Sequence, residues 1–465
     1  MWMFWYILSL IFTVIIWFLI IRLILKWKLE QFYIWEILIY SFMVWVVIIP
    51  FLLFLINLIG IKYSIFNILL AIFVLFSILL FFNLKNKEKI SFSRVWLWWY
   101  LKWNKKLTNT LLWIWCIRVL VKLVFWFISI ANVPTYQDDT FWNWNFRAKV
   151  FYERENLVLD KADEDYLWQW FKQYPLTPSL YKTFLMKMTG YRLEWLANLP
   201  SFLFYLSIII LIFYCVFRYT KSVSWAILSS IILCWVPLYY IHWTNPYFDI
   251  FQSLYFFTSL YTCYLFVDKK IWIWLPILFV WMLWYTKSEW LLIYTTAVFW
   301  TYFLWYLTNK ENLFKKENIL NFLKVILWAF LINLPFIVFK IVNWLWFANG
   351  NESVWNITFE THPEIFKAIF DVLFNGGCYN ILFFAFMVWI LIYLFNRKFK
   401  FDKKEILWFL IWFLVALLII VFIYFVTFNY KEVTTQTWVN RSFMQLIPTI
   451  TYVTILMFYN ICNKD

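Results

Sequence analysis

The chain has 465 residues, 65% of them hydrophobic and 14% charged, with a mean hydropathy of +0.74. Soluble globular chains are nearer half apolar and a quarter charged, so a water-soluble enzyme or nucleic-acid-binding domain is excluded as the class. The formal net charge of +15 does not restore a nucleic-acid reading, because the basic residues are spread over short loops between apolar runs.

Thirteen apolar stretches are predicted to be membrane-spanning helices: 3–21, 33–58, 64–82, 110–131, 193–217, 222–241, 246–267, 271–286, 289–307, 322–346, 380–396, 405–428 and 443–461. The first lacks the basic leader and small-residue cleavage site of a signal peptide and is read as a span. The expectation is an all-α polytopic membrane protein. Lys and Arg crowd alternate loops, around Arg22–Lys28, Lys85–Lys106, Arg218–Lys221, Lys269–Lys270, Lys310–Lys316 and Arg397–Lys404. The short loops between them carry only Lys62, Lys287, Lys367, Lys431 and Arg441. Positive charge stays on the cytoplasmic side, which places the long 132–192 segment and the N-terminus outside. Arg118 and Lys122 lie within the fourth stretch on one helical face, either turned to the bundle or snorkelling to the interface.

Asp138 and Asp139 open the 132–192 segment, and Arg147 and Lys149 follow. A carboxylate there can remove a proton from an attacking hydroxyl. An Asp before a helical run is also a common N-cap. Phe141 to Tyr152 reads as an amphipathic helix in the headgroup plane, its cations placed for a lipid-linked phosphate or for bulk lipid. Tyr174-Pro175-Leu176-Thr177-Pro178 reads as a rigid turn into a second surface helix. Pro246 suits a first helical turn, and Asp249 meets the positive end of that helix. Thr286 to Glu289 form a tight outer turn, in which a Lys287–Glu289 surface pair is the plain alternative to a functional role.

His242 and His362 lack the spacing of a zinc hydrolase. Of six cysteines only Cys378 lies in a polar loop, and no CxxC occurs, so neither a disulfide framework nor a zinc site is indicated. With this sidedness every polar oddity near a membrane boundary falls on the outer side, including Glu432 and Arg441 in the last outer loop. Charge facing lipid is costly, so clustering at one rim indicates a shared water-accessible cavity.

Five glycines against 36 tryptophans is an inversion of ordinary usage. An interfacial aromatic belt would gather tryptophan at two depths, yet here it lies at all depths. Some bacterial lineages read the UGA codon as glycine where common translation tables read tryptophan. The expectation is that many of these positions are glycine in the living protein.

In their order, these motifs resemble the integral-membrane glycosyltransferases of the GT-C superfamily. They are most similar to the bacterial group related to mannosyl-, aminoarabinosyl- and galacturonosyltransferases that use polyprenyl-phosphate sugars. That group has an acidic pair in its first large outer loop and then a Trp-Asn-x-Arg-Ala-Lys run, matched by Trp144 to Lys149. The Tyr174–Pro178 turn, Tyr247-Phe248-Asp249, and Thr286-Lys287-Ser288-Glu289-Trp290 follow, with Trp290 where the family has glycine. Arg441 and Pro448 match an Arg before the last helix and a Pro within it.

The likeness covers about 110–460, which divides the chain into three leading helices with a basic loop (1–109) and a transmembrane catalytic domain (110–465). The resemblance implies a GT-C-like fold and an Asp general base at Asp138 or Asp139. It implies donor or acceptor contacts from Arg147, Lys149, Asp249, Lys287, Glu289 and Arg441. The implied partners are a polyprenyl-phosphate sugar, a glycan, lipid or protein acceptor, and the bilayer, at the outer face of a bacterial plasma membrane. No cofactor is called for, although an acidic pair permits a divalent cation. The alternatives are a transporter or flippase of lipid-linked glycans, disfavoured by the lack of an internal repeat, and a glycan polymerase or ligase.

Overall fold

The computed structural model describes residues 2–25, 32–85, 105–132, 135, 139–167, 172, 174–244, 246–268, 270–286, 299–300, 303, 316–345, 362–395, 404–426, 433 and 437–462. Among them every regular element is helical. A helix satisfies its backbone polar groups internally, which is what a bilayer requires. Among the described residues seven helices are long and apolar enough to cross a membrane by length and composition. They are α2 (Ile34–Leu58), α3 (Ile65–Lys85), α4 (Lys105–Asn132), α7 (Glu194–Thr220), α10 (Asp249–Val267), α12 (Lys316–Val342) and α15 (Lys404–Val426). Between them run α1 (Trp2–Leu25), α5 (Asp139–Arg154, opening as a π-helix), α6 (Thr177–Thr189), α8 (Val223–Cys234), α9 (Pro237–Thr244) and α11 (Trp274–Thr286). Further on come α13 (Glu364–Phe370), α14 (Leu382–Phe395), α16 (Thr437–Met444) and α17 (Ile447–Cys462).

The stretch predicted as one span over 222–241 is two helices, because Pro237 has no N–H to give to the preceding turn. The 289–307 stretch lies outside the described residues except for 299, 300 and 303. The α3 and α4 surfaces expose Phe66, Phe73, Phe81, Ile117 and Phe127, an apolar covering suited to lipid. By contrast α2 is packed inside. Trp45 lies edge-on to Tyr181, Phe54 meets Phe336 and Phe339, and Tyr255 Oη donates to the Met43 carbonyl at 2.5 Å. Lys122 is buried with its ammonium 4.6 Å from the Tyr240 ring centroid, so it faces the bundle.

Long-range bonds sort the helix ends into two groups. At one end Tyr63 N donates to Glu155 O (2.7 Å), Leu157 N to Asn57 Oδ1 (3.2 Å), and Thr177 Oγ1 to Tyr285 O (2.9 Å). At the other, Arg218 pairs with the fully buried Glu36 and donates to Tyr261 Oη, Tyr219 bonds Asn460, and Tyr452 donates to Glu405. The described residues of the 132–192 segment therefore cap the first end, held internally by Lys187–Glu155 at 2.6 Å and by Arg154 to Asp163 and Asp165.

Two observations bear on the tryptophans. Helix α2 ends in a Schellman motif: Ile61 N bonds Ile56 O, Gly60 N bonds Asn57 O, and Gly60 takes a left-handed φ of 81°. Helix α12 ends identically, with Leu345 N to Lys340 O and Trp344 N to Ile341 O, but the left-handed residue is Trp344 at φ 55°. A bulky L-residue is strained there by about 1–2 kcal/mol. In addition, the indole N–H groups of Trp17, Trp45, Trp281 and Trp412 are buried with no hydrogen-bond partner, although a buried indole normally finds one. Trp344→Gly is expected to raise stability by about 1 kcal/mol in detergent unfolding, and peptide mass spectrometry of native protein is expected to find glycine at position 344. Tryptophan there and at most of the 36 positions would end the recoding account.

Candidate functional site

The capped end gathers motifs that lie some 300 residues apart in the chain. Asp249 opens α10, where it meets the unpaired N–H groups of the first turn. At 1% exposure it accepts from both Nε and Nη2 of Arg441, each at 2.8 Å. The guanidinium lies 4.9 Å from the Tyr247 ring centroid, and the His242 ring sits 4.8 Å from that same ring. His242 Nδ1 is 3.8 Å from Asp249 Oδ2. Asp249, Gln252 and Ser253 share one face of α10 by their spacing. That face meets α16: Gln445 Nε2 donates to Gln252 Oε1 at 3.1 Å, and Tyr239, bonded to Ser253, donates to Met444 O at 3.3 Å. Arg441 is thus placed by a polar ladder between two helices.

Helix α5 joins this cluster through Trp144, whose ring is 6.0 Å from that of Phe248 and 5.4 Å from that of Tyr174. Arg147 Nη1 donates to Tyr174 O at 3.3 Å. Thr177, just after the Tyr174-Pro175 turn, bonds the Tyr285 carbonyl in the last turn of α11, which ends at Thr286. The 144–149, 174–178, 247–249 and 441 motifs are in this way connected by direct contacts.

Individual placements differ from an array of open cations. Arg147 is fully buried, and burial pushes its guanidinium down to about 9. Lys149 is held by Glu194, at the first turn of α7. Asp138, Lys287 and Glu289 lie outside the described residues, as does the Asp139 side chain, although Asp139 begins α5. No group of three or more His, Cys, Asp or Glu among the described residues is arranged to hold a metal.

One helix expected at the surface is not there. All of α6 is buried, between α1, α2, α5, α7 and α11. Helix α5 keeps Phe141 and Trp142 outward and turns Arg147 inward. The α6 expectation failed because an amphipathic pattern identifies two faces without saying which is polar inside a site.

Lys182 on α6 is a group that sequence reasoning missed. It is 5% exposed and donates to Asn145 Oδ1 at 2.5 Å, while Asn145 Nδ2 donates to Thr135 Oγ1 at 3.1 Å. Burial pushes its ammonium down to about 7, with Glu194 pulling the other way. A Lys inside a helix read as surface carries no warning, so only the fold reveals it. Because the native state binds this proton more weakly than the unfolded chain, stability is expected to rise as pH climbs from about 7 towards the free-lysine range. Lys182→Met is expected to flatten that rise and to gain a few kcal/mol at neutral pH. Unfolding midpoints between pH 6 and 10 check this, and an unchanged slope would contradict it.

Comparison with protein-family models, curated proteins and solved structures gives no match for this chain.

Proposed function

We propose that the chain is a multi-pass membrane glycosyltransferase of GT-C type, with about thirteen spans, that moves a sugar from a polyprenyl-phosphate carrier to a glycan, lipid or protein acceptor. It works at the outer face of a bacterial plasma membrane. The observation that carries this reading is the meeting of Trp144, Arg147, Tyr174, Asp249 and Arg441 at the bundle end capped by 132–192. Asp138 or Asp139 acts as general base, taking the proton of the acceptor hydroxyl as it attacks the anomeric carbon. Attack from the face opposite the phosphate inverts the centre, and the bond to the phosphate oxygen breaks. Cations among Arg147, Lys149, Lys287 and Arg441 stabilise the charge growing on that phosphate. Asp249 fixes Arg441, and Glu289 is assigned to sugar or acceptor.

Purified protein given a radiolabelled polyprenyl-phosphate sugar and an acceptor extract is expected to transfer label to product. Label carried unchanged across a sealed vesicle, with no product, would instead make this a transporter.

A further inference from the structure

Helix α5 turns polar side chains inward. Thr140, Asn143 and Arg147 fall within about two turns of this helix, and each is fully buried. Among them Thr140 Oγ1, both amide atoms of Asn143, and Nε and Nη2 of Arg147 make no hydrogen bond. Folded proteins leave only a few such groups per hundred residues, and each calls for a reason. Here five atoms fall within two turns of one helix.

Their chemistry defines what would satisfy them. Three are N–H donors, on Asn143 Nδ2 and on Arg147 Nε and Nη2; the Thr140 hydroxyl serves either way, and Asn143 Oδ1 accepts. The matching ligand is rich in acceptor oxygens and anionic, with one hydroxyl to give. Among the described residues no carboxylate pairs with Arg147; its one bond goes to the Tyr174 carbonyl.

We propose that Thr140, Asn143 and Arg147 form a phosphate subsite, with Asn143 Oδ1 taking a hydroxyl of the attached sugar. Phosphate binding here stands on the cluster itself; the sugar and the prenyl chain rest on the glycosyltransferase reading. Ligand entry requires side chains over the buried groups to move, a change common on binding.

The test uses full-length protein in detergent and four probes: farnesyl phosphate, farnesol, inorganic phosphate and phosphatidylglycerol. Thermal-shift titrations are expected to show binding of farnesyl phosphate but not farnesol, and a loss of affinity of roughly tenfold or more in Asn143→Leu and Thr140→Val. The same two variants are expected to melt above wild type without ligand, since each removes an unmet polar group. A purely structural role predicts the reverse. Asn143→Asp, which keeps the volume and adds repulsion, serves if Asn143→Leu does not fold. Unchanged farnesyl phosphate affinity in Asn143→Asp and Thr140→Val, or equal binding of farnesol, overturns the subsite. Equal competition by phosphatidylglycerol or inorganic phosphate overturns its prenyl-linked assignment. Probe binding that is lost in the variants while wild type transfers no sugar keeps the subsite and removes the enzyme reading.

Discussion

Asp138→Asn and Asp139→Asn are expected to cost sugar transfer roughly a hundred- to ten-thousand-fold in whichever of the two removes the base. Asn keeps the volume and the capping oxygen of Asp, so the fold is expected to persist, read as an unchanged elution profile and unfolding midpoint. The two roles that fit this position separate cleanly under the substitution. A cap survives the exchange and a base does not, because an amide takes no proton at neutral pH. Full activity in both single variants and in the double variant would remove the catalytic assignment and leave Asp139 as the residue that begins α5.

Arg441→Met is expected to destabilise the protein by about 3–5 kcal/mol, because it strands the buried Asp249 carboxylate. The pair lies 192 residues apart in sequence and joins α10 to α16, so its loss also frees the face that holds Gln252 against Gln445. Asp249→Asn is expected to cost less, since an amide retains one acceptor for the guanidinium. In the double variant Asp249→Asn with Arg441→Met, the loss is expected to fall well short of the sum, which is the signature of a direct interaction. Chemical unfolding of the four proteins in one detergent measures the cycle. Additive effects would mean that the two side chains act independently.

Three of the residues described at the capped end were conspicuous by type. Arg441, Asp249 and Arg147 stand out in a chain with so few charges, and loop charge alone put them on one side. Their facing was not legible. Around a polar site a helix buries Thr140, Asn143 and Arg147, whereas periodicity arguments assume that the apolar side is buried. The same inversion hid Lys182, and the burial of α6, whose Thr, Ser and Lys residues read as wet. The last span was also read as one helix with Arg441 just before it. In the structure Arg441 sits on its own short helix, α16, ahead of the Pro448 turn of α17. The glycine question was visible in composition, but only backbone geometry singled out Trp344, because a left-handed φ cannot be seen in a residue count.

The account stands on the capped end facing away from the cytoplasm, where a lipid-linked sugar is accessible. Labelling with a membrane-impermeant maleimide in intact cells tests this most directly, using a cysteine-free chain with single cysteines at the exposed Lys161 and Lys270. Labelling at position 161 with protection at 270 is the predicted result. Protection at 161 with labelling at 270, once the cells' own permeability is controlled, would contradict it.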